Sequence, residues 1–364
     1  MPMSIEDLVE SLSAVLAAPE ADVDDEYAEA AQEAREEEQK ELDEQRSEAA
    51  STVAQLAASD DAEWNASAIE GGLLAALGVA LVQGSGEARD DCLRALLSLS
   101  SGLPGAQLLG AADLLDALLS TLDPLIPVPP APVVEGGDEE EKEGVADGKE
   151  AEAEAEAEVE AEEEQEEEKA GDEDAEEAFQ PCARGFDVLE RICAGDGRDV
   201  RAELVQHAGL RQLLLKGVGS AADDDAGVSQ LAALSCLVVL SRAGDAEAQS
   251  VLVAEAGVVG VLSALLGPDF DGLDGRPRAR STCLRVLSNL TASFDVRKPM
   301  LDVVPMLLGV VQKDSTIETS MARAEALRGL SNLAQHGLRC KTVEGQLERY
   351  KAFEIIRTAV EVQQ

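Results

Sequence analysis

The sequence predicts an all-α protein in which helical repeats stack into a solenoid. A helix pattern with apolar residues at i, i+3 and i+6 starts at positions 50, 93, 186, 234, 284 and 327. A second signature, which contains glycine, lies between successive copies. Aromatic residues make up only 2% of the chain, so the core must consist of many contacts between helices rich in Ala, Leu and Val. A pattern that recurs at a fixed period of roughly 20–50 residues is the signature of a repeat architecture.

The apolar pattern marks the longest helix of each repeat, here called the third helix. The clearest copies are Leu284–Thr291 and Leu327–Ala334, which share the string Leu-Ser-Asn-Leu. Successive starts are 43 to 50 residues apart, except for 93 residues between the second and third copies. Removing an acidic tract brings that spacing back to one repeat, so we expect an insertion within a repeat. Stacking the third helices buries each leucine for about 1.5–3 kcal/mol.

The glycine signature predicts a sharp turn between the first two helices of a repeat. It reads Ala208-Gly209 and Ala256-Gly257, with looser versions at Glu70–Gly72 and Gly110. Glycine adopts the left-handed backbone conformation that ends a helix abruptly. Each repeat is therefore expected to contain a short helix, a glycine turn, a second helix, a loop and the third helix.

These turns and the Leu-Ser-Asn-Leu strings at 287–290 and 330–333 resemble the armadillo-repeat family. The resemblance is strong over 197–337, fair over 61–122 and weak over 1–58, where the related HEAT repeat is an open alternative. It implies a right-handed α-solenoid of about six three-helix repeats. The expected segments are a weak repeat with an acidic helix (1–58), repeats (59–123), a proline-rich and then acidic disordered insertion (124–178), further repeats (179–343) and capping helices (344–364).

The negative charge is concentrated in two tracts. The chain carries a net charge of −45, with 24 acidic and 3 basic residues between Glu135 and Ala178 and 14 acidic and 3 basic residues between Glu20 and Glu48. The first tract lacks core-forming residues, which predicts disorder, whereas the second predicts an exposed polar helix. Such a charge argues against nucleic acid as the main ligand and against an anionic membrane surface.

The sequence offers no set of catalytic residues. It contains two histidines, His207 and His336, and no glycine-rich phosphate loop. A calcium-loop pattern that begins at Asp269 has Arg280 in place of the final glutamate. The six cysteines form no Cys-x-x-Cys pair, which predicts free buried thiols. We therefore expect no enzyme, no cofactor and no metal.

Neither a secretory leader nor a membrane span is expected. The first ten residues are acidic, and no run of 18 apolar residues occurs. The sequence thus favours an intracellular protein, with the cytoplasm favoured over the nucleus. The oligomeric state is left open.

The resemblance also implies binding residues. In armadillo proteins the third helices line a concave groove, and the asparagine of Leu-Ser-Asn-Leu grips an extended peptide, which implicates Asn289 and Asn332. The equivalent residues in other repeats are Ser98, Arg191 and Val239. Four residues before these positions, nuclear import receptors of this class carry tryptophan, whereas this chain has Arg94, Arg285 and Arg328. Recognition of basic import signals is therefore not expected.

The Arg-x-x-x-Asn pairs predict a different specificity. Residues i and i+4 share one helix face, so Arg285 lies beside Asn289 and Arg328 beside Asn332. Guanidinium groups next to amides suit carboxylates or phosphates on an extended chain. We expect these four residues, with Arg94, to lie on the open face and to bind an extended or helical protein segment, with an acidic one favoured. The alternative is that the arginines only solvate a helix.

The sequence predicts a non-enzymatic scaffold for protein–protein interaction, and two alternatives stay open. One is a chaperone cofactor of the armadillo class for an Hsp70-type or myosin-type client. The other is an acidic chaperone for basic proteins such as histones, which would act through the glutamate-rich insertion. Deleting residues 135–178 distinguishes a groove binder from the acidic chaperone, because binding in the groove survives the deletion and binding through the insertion does not. A further hypothesis is that the insertion folds back on the basic region formed by 276–298 and Arg328 and competes with the partner. The alternative, in which the insertion is only a solvated spacer, stays open.

Overall fold

The protein is described by a computed structural model, in which the described residues form 17 α-helices and no strand. The described ranges are 3–15, 28–59, 61–102, 114–126, 183–194, 198–219, 228–242, 245–255, 257–267, 273, 275–293, 299–313, 320–337 and 341–361. The all-α prediction is confirmed. The remaining residues, which include 127–178 of the predicted insertion, lie outside this description.

Seven helices precede the fourth repeat. They are α1 (Ile5–Ser13), α2 (Ala28–Ala57), α3 (Ala62–Glu70), α4 (Leu73–Gln83), α5 (Gly86–Gly102), α6 (Leu114–Leu122) and α7 (183–194). Side chains in the first turns define two of these helix starts. Ser4 forms a capping box with Asp7 at α1, and Asp61 accepts hydrogen bonds from the main-chain N–H groups of Glu63 and Trp64 at α3.

Ten helices follow. They are α8 (Arg198–Gln206), α9 (Ala208–Gly219), α10 (Val228–Leu240), α11 (Ala246–Ala254), α12 (Val258–Leu266), α13 (Pro277–Leu290), α14 (Val304–Lys313), α15 (Ser320–Gly337), α16 (Lys341–Arg349) and α17 (Ala352–Glu361). Short 3₁₀ helices lie at Asp123–Leu125 and Pro299–Val303, and the second takes the place of a first helix in the last repeat.

The helices stack in layers with the period that the sequence predicts. The third helices are α2, α5, α7, α10, α13 and α15. Successive third helices pack against each other, as α2 does on α5, α10 on α13 and α13 on α15. The second helices form a parallel layer in which α1 contacts α4, α4 contacts α6, α6 contacts α9 and α9 contacts α12. The predicted leucines lie between the layers, where Leu93, Leu234, Leu287 and Leu330 are fully buried.

The insertion interrupts a repeat without separating its helices. Helix α6 ends at Leu122 before the insertion, and α7 begins after it. A Cβ atom built on Gly185 of α7 would lie 2.9 Å from Cγ of the buried Leu122, so the two helices pack closely. On its far side, α7 accepts a 3.3 Å hydrogen bond from the Cys236 thiol at the carbonyl of Phe186. Helices α6 and α7 therefore belong to one repeat, although the predicted disorder of 135–178 lies outside the described residues.

The predicted glycine turns form at two positions and not at a third, and the fourth, Gly110, lies outside the described residues. Gly72 (φ 82°) and Gly257 (φ 66°) adopt the left-handed conformation, and the helix axes bend there by 65° and 66°. Gly209 instead lies inside α9, so the prediction of a turn there is wrong. The break lies at His207, whose Nδ1 accepts a 3.3 Å hydrogen bond from the main-chain N–H of Leu210. A side chain caps this helix, so no left-handed residue is needed.

Four of the cysteines are free and buried, as the sequence predicts. These are Cys92, Cys193, Cys236 and Cys283. Burial raises the pKa of Cys92, Cys193 and Cys283 to about 12 and that of Cys236 well above its usual value. Thiols with such pKa values are inert at neutral pH.

Among the described residues, no single helix has both the length and the apolar composition needed to cross a membrane. Two bent pairs, α3 with α4 and α11 with α12, have the required length and apolar composition only when the two helices of the pair are counted together.

Candidate partner-binding groove

The asparagines of the third helices bond to the preceding repeat. Nδ2 of Asn289 donates to the carbonyl of Val238 (3.2 Å) and to Oγ of Ser241 (3.3 Å). One repeat later, Nδ2 of Asn332 donates to the carbonyl of Ser288 (3.0 Å) and to Oγ1 of Thr291 (3.3 Å). In both repeats the amide bonds to a carbonyl in the last turn of the preceding third helix, where main-chain donors of the helix run out. The same carbonyls also accept from the hydroxyls of Ser241 and Thr291.

The expectation that Asn289 lies on the open face is therefore wrong. Asn289 is 6% exposed, and Asn332 is half-buried. The physical reason is the stagger between repeats, which brings this helix position over the end of its neighbour. Asn289 thus joins two repeats, and Asn332 repeats the same bonds with more of its side chain open to solvent.

Gln249 of α11 completes this polar joint. It is fully buried, and its Nε2 donates to the carbonyls of Ser241 (2.9 Å), Arg242 (3.1 Å) and Asn289 (3.0 Å). One amide therefore caps the ends of α10 and α13 together. The sequence carries no signal for this role, because the three carbonyls meet only once the repeats are stacked.

Two arginines predicted to bind a partner share one glutamate. Nε of Arg285 on α13 lies 2.9 Å from Oε1 of Glu325, and Nε of Arg328 on α15 lies 2.8 Å from Oε2 of the same residue. Nη2 of Arg328 also donates to Oδ1 of Asn289 (2.9 Å). Sequence reasoning missed Glu325, although its place three residues before Arg328 predicts a contact on one helix face.

The two guanidinium groups keep a large open surface. The side chains of Arg285 and Arg328 are 43% and 44% exposed, whereas that of Glu325 is 15% exposed. An arginine has five N–H donors, and within the described residues Glu325 and Asn289 occupy only some of them. The remaining donors can bind a second planar acceptor, such as a carboxylate.

Arg94 lies in a different environment. Its Nη2 and Nη1 atoms lie 2.8 Å from Asp90 and 2.9 Å from Asp91, and Asp90 is also paired with Arg184 of α7. Two carboxylates therefore balance the charge of Arg94. The structure does not bring it together with Arg285 and Arg328, because α7 and α10 lie between α5 and α13.

The charge of the third helices changes along the solenoid. On α7, burial raises the pKa values of Asp187 and Glu190, and the Arg191 guanidinium partly offsets that rise. On α10 the three equivalent positions hold the uncharged residues Ser235, Val238 and Val239. Helix α13 contains no Asp or Glu, and arginines occupy this face. The described part of the groove is thus mixed in charge at α5 and α7 and basic at α13.

Across the part of the chain that is described, no group of three or more His, Cys, Asp or Glu side chains is arranged to hold a metal ion. His207 instead contacts the second-helix layer, where its Nε2 lies 3.1 Å from Oδ1 of Asp116.

No protein-family model and no curated protein sequence matches this chain. Solved structures do match it. One is a crystal structure of an engineered protein from the Northeast Structural Genomics Consortium, at 19% identity and a TM-score of 0.54, with 90% of this chain and 95% of that chain covered. Another is a computationally designed armadillo repeat protein for modular peptide recognition, at 15% identity and a TM-score of 0.53, with 90% and 99% covered.

The protein has the armadillo-repeat fold. This confirms the resemblance inferred from the turns and the Leu-Ser-Asn-Leu strings. Identities of 15–19% establish the fold alone, so the designed protein's peptide recognition is a property of that protein.

Proposed function

We propose that this armadillo-fold protein is a non-catalytic scaffold whose third helices bind a segment of a partner protein. The segment carries an acidic side chain that binds between Arg285 and Arg328. The fold supports the first statement, because repeat stacking creates an extended surface of third helices. The second depends on the geometry of the two arginines.

The observation that carries the proposal is the pairing of Arg285 and Arg328 with one shared carboxylate. Glu325 fixes the two guanidinium groups on neighbouring helices at 2.9 and 2.8 Å while almost half of each arginine side chain stays exposed. Side chains that are already held lose little conformational entropy when a ligand binds. A partner carboxylate would meet preorganised donors and form charge-assisted hydrogen bonds.

The asparagines have a supporting part in this proposal. Asn289 holds Arg328 through its Oδ1 and is itself held by α10. Asn332 keeps more of its side chain open and is the asparagine available to a bound segment. Arg94 belongs to the mixed-charge region, so we propose that it contacts a different part of the partner from Arg285.

A peptide-display selection against the intact protein tests the proposal. The library should contain random segments of about 12 residues without charge bias. We expect the enriched peptides to contain Asp or Glu and to bind the double variant Arg285→Gln/Arg328→Gln at least tenfold more weakly. A matched control is Arg349→Gln, which removes an exposed arginine from α16, outside the third helices.

Circular dichroism and thermal melting should first show that the variants are folded. Enriched peptides that bind the wild type, the double variant and the control with equal affinity would overturn the assignment of these arginines. A selection that enriches no peptide would overturn the proposal of segment binding itself.

A further inference from the structure

Helix α13 carries an exposed arginine that has no part in the proposed binding of a partner. Arg278 lies two turns before Arg285 on α13 and is exposed on the same side of the helix. With Arg328 of α15, these residues form what we call the arginine face. Glu325 is the acidic residue among the described residues of the two helices, and it is largely covered by the arginines it bridges.

The chain itself contains a segment of the complementary charge. Residues Glu135–Ala178 hold 24 acidic and 3 basic residues, and they lie outside the described structure. The segment leaves the solenoid after α6 and returns at α7, whose first residue is 183. Its attachment point is therefore a third helix of the same layer that carries the arginine face.

The attachment point and the arginine face share one edge of the solenoid. Near the starts of α13 and α10, Nη1 of Arg276 lies 3.3 Å from Oε1 of Gln230, and near their ends Asn289 bonds to Val238. The two helices are therefore parallel, and their first residues lie on the same edge. The contact of Phe186 with Cys236 and the repeat register place the first turn of α7 on this edge too. Residue 183, the first described residue after the segment, therefore lies on the same edge as Arg278.

The distance is within reach. Two spacings of about 8–10 Å separate α7 from α13, since packed helices lie that far apart. A coil of 44 residues has a root-mean-square span of roughly 35–40 Å. The effective concentration of such a tethered segment is on the order of a millimolar.

We propose that the acidic segment Glu135–Ala178 docks on the arginine face of α13 and α15 and competes there with acidic partner segments. The inference rests on the proposed function, because it names the regulation of the same site. Exposed ion pairs are individually weak and are screened beyond about 8 Å at physiological salt, so the docking is shallow and depends on salt. A partner segment displaces it without any unfolding.

The test uses the intact chain and a segment-neutral chain, in which every Asp and Glu of 135–178 is replaced by Asn and Gln. The probe is a synthetic peptide of residues 135–178, and its Kd is measured by fluorescence anisotropy at about 20 mM salt. We expect a Kd of about 0.1 mM for the segment-neutral chain. An internal competitor at an effective concentration of about 1 mM weakens this roughly tenfold in the wild type.

Two further variants locate the binding. In the segment-neutral chain, Arg285→Gln/Arg328→Gln should weaken peptide binding at least tenfold, and Arg349→Gln should leave it unchanged. Raising the salt to about 300 mM should also weaken it at least tenfold. Equal affinity of the wild type and the segment-neutral chain for the probe would overturn the docking, as would binding that the arginine substitutions leave intact.

Amide hydrogen exchange on the unmodified protein gives an independent measurement. Protection of residues 278–290 and 320–332 should fall when the salt is raised, and unchanged protection would overturn the docking. Failure of the docking is distinguishable from failure of the proposed function. If only the docking is wrong, library-derived acidic peptides bind the wild type and the segment-neutral chain equally. If the proposed function is wrong, the selection enriches no peptide whose binding depends on Arg285 and Arg328.

Discussion

The side-chain amide of Asn289 donates a 3.2 Å hydrogen bond to the main-chain carbonyl of Val238, in the third helix of the preceding repeat. The same side chain accepts a hydrogen bond from Arg328 in the following repeat. A residue whose type points to peptide binding thus connects three successive third helices. Asn289 therefore stabilises the stack of repeats and also holds Arg328 in position.

Replacing Asn289 tests this structural role. Asn289→Ala should lower the free energy of unfolding by about 1–3 kcal/mol, because the bonds of this buried side chain to Val238, Ser241 and Arg328 are all lost. Asn332→Ala should cost less, since Asn332 is half-buried and water can replace its amide. Urea denaturation of both variants measures the difference. If Asn332→Ala proves as costly as Asn289→Ala, burial does not distinguish the two positions.

The leucines of the third helices should dominate stability. Leu287 and Leu330 are both 0% exposed, so Leu287→Ala and Leu330→Ala should each cost about 2–5 kcal/mol through lost burial and a residual cavity. Met321→Ala is the control on α15, because Met321 is 58% exposed and should change stability little. Denaturant midpoints of the three variants test this order. A Met321 variant as unstable as the leucine variants would contradict it.

Gly185 allows α7 to approach α6 across the insertion. A methyl group there would meet Leu122, with Cβ 2.8 Å from Cδ1 of that fully buried side chain. Gly185→Ala should therefore destabilise the protein by about 1–3 kcal/mol, the usual cost of overpacking.

Gly260→Ala is the matched control for Gly185. Gly260 also lies inside a helix, but a Cβ there has no atom within 4 Å, so alanine should stabilise by about 0.5–1 kcal/mol. Thermal melts of the two variants should thus shift in opposite directions. A Gly185→Ala variant that melts at or above the wild-type temperature would show that α6 and α7 pack less closely.

Glu190 should make stability depend on pH. Burial raises its pKa in the folded state, so the folded protein binds this proton more tightly than the unfolded chain does. The resulting stabilisation is present below the unfolded pKa of about 4.3 and is lost as the pH rises through the folded pKa. Glu190→Gln should therefore be more stable than the wild type at pH 7.

The pH dependence of the Glu190 effect separates titration from packing. The stability difference between Glu190→Gln and the wild type, measured by urea denaturation, should shrink as the pH falls from 7 toward 4. Carboxylates that do not interact with Glu190 are common to both proteins and cancel in the difference. Asp187, whose charge also raises the pKa of Glu190, contributes to the pH dependence together with it. A stability difference that stays constant over this range would indicate a packing effect.

The repeat fold and its period could be predicted from the amino-acid sequence alone. The i, i+3, i+6 leucines and the glycines at 72 and 257 are local signals, because helix periodicity and a left-handed turn depend on neighbouring residues. The spacing of the repeats also revealed that one of them contains an insertion. None of these inferences requires knowledge of which residues meet across repeats.

Which polar side chains face the groove and which join the repeats depends on how the helices pack. The sequence placed Asn289 beside Arg285 on one face of α13, yet the stagger of α13 against α10 buries Asn289 and leaves Arg285 nearly half exposed. Gln249 likewise bonds to Asn289, and Glu325 to Arg285. In each pair the two residues are 40 positions apart in the sequence and belong to different helices. A hydrogen bond between stacked repeats depends on their relative rotation and offset, which no local pattern encodes.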